Sequence, residues 1–363
     1  LFEMAFHIPY AWCVIGMAVF TGIYVILGGY MATAINDFIQ GIIMLAGIIV
    51  VIAAVLNGQG GFLEAVGRMA EIPSDVEITL GQPGAFTSFF GPDPGNLLGV
   101  VILTSLGTWG LPQMIGKFYA IKDEKSINTG TVISTVSAIV VSGGCYFLGG
   151  FARLFDAPAI YDEAGAVVYD SIIPHMLSAL PDILIGIVVV LVLSASMSTL
   201  ASLVLTSSST LTLDFLKDNL LKEMSEKRQV RTMQVLVIFF IAVSVFIALD
   251  PPTFIAQLMG ISWGALAGAF LAPFLYGLYW KGTTRAGVWA SFIVGVGITV
   301  VNMFMPFIES SINAGAAAMV AGLIVVPVVS LITPKLSREK TDAIFSCYEE
   351  KVTITKKRSL EQN

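Results

Sequence analysis

Residues 181–215 read PDILIGIVVVLVLSASMSTLASLVLTSSSTLTLDF, and a change of character halfway along this stretch decides how the rest of the chain is read. From Ile183 to Leu193 it holds only Ile, Leu, Val and one Gly, the composition of a helix that faces hydrocarbon. From Ser194 onward hydroxyls recur at every fourth residue, Ser194, Ser198, Ser202 and Thr206, which sets them in one column on one helix face. Polar side chains in a membrane helix must find partners inside the protein. They can bond back to carbonyls one turn earlier and admit a neighbouring helix closely, or they can face a polar ligand. Spacing alone leaves both open.

The composition places this helix in a membrane. Of the 363 residues 56% are hydrophobic and 12% charged, with a mean hydropathy of +0.86. A soluble core of that size would lack polar surface to cover it, so the chain reads as an all-α polytopic membrane protein. Nine apolar segments are expected at 8–32, 36–56, 97–115, 130–155, 181–215, 232–249, 252–280, 286–306 and 312–332. They make up a transmembrane domain over 1–333, followed by a charged tail over 334–363.

Charge sets the expected orientation. All of the 19 Lys and Arg except Arg68 and Arg153 fall in the tail or in the loops after the third, fifth and seventh segments. The positive-inside rule makes those loops and the C-terminus cytoplasmic, in a plasma (inner) membrane, with the N-terminal end outside. The net charge of −6 does not point to nucleic acid, because the charges sit in loops and are read by side. Outward loops are acidic, and within the first of them residues 61–72 are expected to form a short interfacial helix that Pro73 ends. Cys13, Cys145 and Cys347 have no metal-ligand or disulfide spacing, and His7 and His175 are isolated. The chain opens at Leu1 without an initiator Met or signal peptide, and is expected to be a truncated or processed fragment.

Two further stretches carry chemistry. In the third segment Thr104-Ser105-Leu106-Gly107-Thr108-Trp109-Gly110-Leu111-Pro112-Gln113 puts two glycines and a proline deep in an apolar helix. The helix should break there, which is tolerable only against protein or a wet cavity; a purely mechanical kink is the alternative. Asp37 falls between the first two segments, in Asn36-Asp37-Phe38-Ile39-Gln40. A carboxylate at that depth must face the bundle or water, or cap the second helix as an N-terminal acid.

The run Ala195-Ser196-Met197-Ser198-Thr199-Leu200, with Ser207-Ser208-Ser209 and Asp214-Phe215 after it, resembles the sodium-binding helix of the sodium:solute symporter family. Gly28, Gly29, Asp37 and Gln40 match that family's G-G…D-x-x-Q pattern, and Gly107 to Pro112 followed by Lys117-Phe118-Tyr119-Ala120 resembles its substrate-lining helix. The resemblance implies two inverted five-helix repeats with flanking helices, of which the first two segments would close repeat one and segments three to seven would form repeat two.

The same resemblance implies Na+ as coupling ion, held by the Ala195 carbonyl and the Ser198 and Thr199 hydroxyls, with Asp37 on the inner route. Oxygen donors of this kind suit a hard cation. A second sodium site in some members uses two hydroxyls one turn on; here those positions are Ala201 and Ser202, one hydroxyl short. Thr104, Thr108, Trp109, Gln113 and Gln257 are the implied substrate contacts. Proline carriers have aromatic residues where this chain has Thr104 and Thr108, which sets it apart from them. The expected activity is sodium-coupled symport of a small organic solute across the bilayer by alternating access, not catalysis. The rival reading is a symporter-like sensor that binds solute and signals through a partner protein. The tail carries no kinase-like domain, which favours transport.

Overall fold

The computed structural model describes residues 2–118, 121, 123–155, 160–162, 164–221 and 223–348. It is 82% helix, with no strand among the described residues. Among the described residues seven helices are long and apolar enough to cross a membrane, or eight if one bent pair counts as a span. Their apolar side chains point largely outward. In the most apolar window of the helix Glu226–Leu249 only 6% of residues are buried inside the protein, an arrangement that hydrocarbon solvates and water does not.

The chain divides into two compact units, Leu1–Leu98 with Pro112–Leu258, and Gly99–Leu111 with Met259–Asn363. In the first, a short α1 (Phe2–Phe6) precedes α2 (Tyr10–Gly58). At 1.5 Å per residue the 49 residues of α2 would extend about 74 Å if straight, more than twice the roughly 30 Å of a hydrocarbon core. The run is instead interrupted at Gly29, whose φ of 58° and ψ of −156° are open to glycine and almost closed to other residues. On one side of Gly29 the Tyr24 hydroxyl donates to the Met197 carbonyl at 3.0 Å. On the other side, Gly47 packs against Leu191. Tyr24 and Gly47 are about 35 Å apart along a straight helix, whereas Met197 and Leu191 are about 9 Å apart, so the chain folds back at Gly29. The first arm runs antiparallel to α10 (Glu226–Leu249), with Tyr10 bonded to Ala248 and Gln234 to Ile26.

The sequence reading put the interruption at 33–35, with Asp37 at the head of a new helix. The structure moves the break to Gly29, because only glycine accepts that backbone. Asp37 therefore lies two turns inside the second arm and does not cap it.

A connecting segment follows, with α3 at Phe62–Glu71. Arg153 ties this segment down: it donates to Asp75 at 3.0 Å and stacks over the Phe86 ring at 4.0 Å. The hydrogen-bonded guanidinium holds the Asp75 carboxyl below its usual 3.8. Next, α4 (Pro94–Gly110) and α5 (Pro112–Phe118) meet at Leu111 with a 49° bend. Pro112 cannot donate to the carbonyl one turn back, which ends α4 where the sequence suggested. The following span runs through α6 (Glu124–Ser137), a π-turn and α7 (Gly143–Gly150).

Beyond them, α8 (Tyr169–Ser178) leads to α9 (Asp182–Ser209), which continues as a π-helix to Leu220. Ile48, Val51 and Val55 of the second arm bury themselves with Leu148, Met176, Leu177 and Val188. In the second unit, the later part of α4, α11 (Ile255–Tyr279, from Met259 on) and α13 (Ser311–Ile332) pack around Leu103, Ala267, Leu271 and Met319, and α12 (Arg285–Phe304) and α14 (Arg338–Phe345) complete the unit.

Candidate functional site

The Ala195 carbonyl of α9 accepts from two side chains at once, Ser198 Oγ at 3.1 Å and Thr199 Oγ1 at 2.9 Å. Two hydroxyl oxygens thus gather beside one carbonyl oxygen, on the turn that Tyr24 pins through Met197. Farther along the column Thr206 donates to the Ser202 carbonyl at 2.9 Å. These are the back-bonds open to any Ser or Thr in a membrane helix. A hydroxyl has one hydrogen and two lone pairs, however, so donating the hydrogen leaves its oxygen able to accept or ligate.

A second group of polar atoms lies on the arm of α2 after Gly29. Asp37 Oδ1, Gln40 Oε1 and Asn36 Nδ2 are buried without a hydrogen-bond partner among the described residues. Each such atom costs about 1–3 kcal/mol, more when charged, so three on one turn ask for a ligand or water. Gly47 meets Leu191, and the arm continues toward the start of α9 through Val51, Val55 and Val188. In that antiparallel register Gln40 comes level with Ser198, and Asp37 with Ala201 and Ser202. Asp37 also lies within electrostatic reach of the Tyr24 hydroxyl and of Lys117 at the end of α5. The first unit therefore brings Asp37, Ala195, Ser198, Thr199 and Ser202 to one stretch of one helix pair.

The candidate substrate residues divide between the units. In the second, Thr104 donates to the Val100 carbonyl at 2.8 Å and Thr108 to the Ser105 carbonyl at 3.2 Å, while Trp109 is 58% exposed. Gly107 and Gly110 do not unwind α4, as the sequence reading expected of this stretch. They let Trp263 and Ala267 approach within about 3 Å of where a side chain would begin. In the first unit Gln113 is half-buried on α5, and Gln257 accepts from the Thr253 hydroxyl in the first turn of α11. Asp170 serves that same helix end, its carboxylate accepting from Ile255 N at 3.2 Å.

Sequence reasoning passed over Asn36, Tyr24 and Lys117. Asn36 stands four residues before Gln40, a one-face spacing that was readable. Tyr24 reaches Asp37 only through the fold-back at Gly29, and Lys117 only through the tertiary packing that follows the bend at Leu111, and no local pattern announces either approach.

Comparison with known proteins places the chain in a family. The family model described as "Sodium:solute symporter family" matches residues 1–295. The chain is 30% identical over 303 residues to a sodium/pantothenate symporter of Haemophilus influenzae, covering 82% of this chain and 59% of that protein. It is 28% identical over 359 residues to a sodium/proline symporter of Staphylococcus aureus, covering 93% of this chain and 65% of that protein. It thus spans roughly three-fifths to two-thirds of the length of these relatives. With a family model that runs through the fold-back at Gly29, the bend at Leu111 and the hydroxyl column of α9, the chain belongs to the sodium:solute symporter family.

Proposed function

We propose that the chain forms the larger part of a sodium-coupled symporter for a small organic solute, working by alternating access within the inverted-repeat plan of its family. The observation that carries this reading is the convergence of the Ser198 and Thr199 hydroxyls on the Ala195 carbonyl, beside an arm whose Asp37 and Gln40 oxygens lack donors. Oxygen donors without a formal charge bind a hard monovalent cation reversibly. Sodium would take the place of hydrogen bonds that the Ala195 carbonyl now accepts, the hydroxyl hydrogens turning away so that both hydroxyl oxygens offer it lone pairs. Asp37 serves its release, since an acid near the ion's inner route favours departure toward the cytoplasm. Ser202 supplies one oxygen of a second cation position but lacks its companion at Ala201, so coupling to a single sodium is the reading we favour.

Thr104, Thr108, Trp109, Gln113 and Gln257 are assigned to the solute. The relatives named above carry pantothenate and proline, both carboxylates, so small carboxylates head an uptake screen. Radiolabelled uptake into proteoliposomes that hold the full-length parent, with sodium or potassium outside, tests the reading. Uptake of a solute that requires sodium supports it, and solute binding without uptake would favour the sensor instead.

Nine crossings are proposed, two from α2, one from the α4–α5 pair and six from the other long helices, with the C-terminus cytoplasmic. Cys347 is exposed and reports this directly. In right-side-out membranes an impermeant thiol reagent should leave it unlabelled until the membrane is opened. Labelling before opening would reverse the orientation.

A further inference from the structure

At the junction of α11, α12 and α14 lies a pocket of about 240 Å³. Trp280, Val288, Trp289, Leu336, Ile344 and Phe345 form its apolar wall, and Lys281 and Arg285 stand at its edge. Its depth follows from the helices: α11 ends at Tyr279 and α12 begins at Arg285, so the pocket sits where two spans leave hydrocarbon. Tryptophan favours that boundary. The short α14 turns Thr341, Ile344 and Phe345 to the pocket, and its charged residues lie elsewhere, as in a helix lying along a membrane surface.

The turn that forms the floor is held firmly. Thr284 N donates to Ser330 Oγ at 3.1 Å, the Thr284 hydroxyl pairs with that of Thr333 at 2.8 Å, and Thr283 donates to the Tyr276 carbonyl at 3.0 Å. A side chain at Gly287 would strike Ser330. The pocket is therefore built before any ligand arrives, which lowers the cost of binding.

Charge selects the ligand. The charged residues that line the pocket are Lys281 and Arg285, both basic. Asp342 neutralises Lys281 at 3.0 Å, and Arg285 has no ion pair among the described residues. An apolar cavity at the membrane boundary with an unpaired guanidinium on its rim suits an amphiphile with a phosphate head. Free phosphate would leave the aromatic wall empty, and a zwitterionic phospholipid would bring a second cation beside Arg285 and Lys281 along with its phosphate, so a lipid of net negative charge is favoured. At 240 Å³ the pocket takes part of one acyl chain, below the roughly 300–1,000 Å³ that hold whole small ligands.

We propose that this pocket binds an anionic phospholipid of the cytoplasmic leaflet, its phosphate at Arg285 and its upper acyl chain against Trp280, Val288 and Phe345. The leaflet assignment rests on the topology proposed above. Binding to purified protein does not depend on it, so a reversed topology and a failed lipid site are told apart.

Delipidated protein in neutral detergent is titrated with brominated phosphatidylglycerol or brominated phosphatidylcholine, and tryptophan quenching is read; Trp289→Phe identifies the share that comes from the pocket. Phosphatidylglycerol should bind about fivefold more tightly, the amount one interfacial cation contributes. Arg285→Gln should erase this preference while Arg285→Lys keeps it, and Val288→Phe, which fills the cavity and leaves every charge, should weaken both lipids. Equal affinity for the two lipids overturns the proposal, as does a preference that survives Arg285→Gln or quenching untouched by Val288→Phe. Displacement of the lipid by millimolar glycerol phosphate would reassign the site to a soluble anion.

Discussion

Two helices of this protein carry columns of small residues at the same four-residue spacing and use them in opposite ways. In α11 the column is Gly260, Gly264 and Gly268, and it is filled by backbone. A side chain at Gly264 would begin 2.6 Å from the Gly315 Cα, and one at Gly260 would begin 2.9 Å from the backbone at Ser311. In α9 the column is Ser194, Ser198, Ser202 and Thr206. Its Ser198 and Thr206 hydroxyls bond to their own helix, and the facing arm of α2 offers buried oxygens without a hydrogen-bond partner among the described residues. Without a hydrophobic effect to drive association in lipid, close backbone packing holds α11 to α12 and α13. The α2–α9 pair gives up part of that packing to keep polar atoms available. Period alone reports that a face is special; the partner decides whether it is glue or a site.

The largest effect should come from damaging the glue. Gly264→Leu or Gly295→Val would drive side-chain atoms into backbone at Gly315 and Ala269, and overpacking of this kind costs about 1–3 kcal/mol or more. Each variant should lose its monodisperse peak in size-exclusion chromatography. Gly297→Ala, where nothing lies within 4 Å of the new methyl, should run as wild type. A well-behaved Gly295→Val would mean that α12 does not approach α11 as described.

A smaller and opposite effect is expected from Asp37→Asn. Removing a charge whose oxygen has no donor relieves a cost of about 1–3 kcal/mol, so the variant should melt higher than wild type in sodium-free buffer. It should also lose any further stabilisation by sodium. A lower melting point would show that Asp37 holds the fold together instead of serving an ion.

The smallest effect belongs to the connecting segment. Arg153 keeps the Asp75 carboxyl below 3.8, so the pair contributes stability above that pH and loses it as pH falls through the lowered value. Both side chains are well exposed, at 43% and 66%, and such pairs contribute about 1 kcal/mol at most. Asp75→Asn should therefore reduce melting temperature slightly at pH 7, and the difference should shrink as the pH falls below 3.8. A difference that grows as the pH falls would contradict the pairing.

How far the sequence could be read depended on whether the cause was local. The spans are legible because length and apolarity are local, and the break at Leu111 because proline announces it. The column of Ser194, Ser198, Ser202 and Thr206 was legible too, since a four-residue spacing survives any tertiary arrangement, whereas Thr199 lies off that column and was singled out only by the family resemblance. The position of the first break was not: Gly28, Gly29 and Gly41 all stand near the boundary, and only the packing of both arms on α9 selects Gly29. The neighbours of Asp37 were hidden for the same reason. Tyr24 and Lys117 lie 13 and 80 residues away in sequence, and the fold supplies their proximity.

The central claim is that the Ala195 turn of α9 holds sodium, and thermal unfolding of the purified protein in sodium against matched potassium measures it most directly. A ligand that binds only the folded state raises its stability with concentration, so sodium should raise the melting temperature of the wild type and potassium should not. Losing one oxygen contact to a charged partner is worth about 1.5–3 kcal/mol. Ser198→Ala and Thr199→Ala should therefore each need roughly ten- to hundredfold more sodium for the same shift. Ser208→Ala, whose hydroxyl bonds back to Leu205 at 3.0 Å farther along the helix, should keep the wild-type sodium dependence. An unchanged sodium response in both Ser198→Ala and Thr199→Ala would contradict the account and leave the hydroxyl column of α9 as packing.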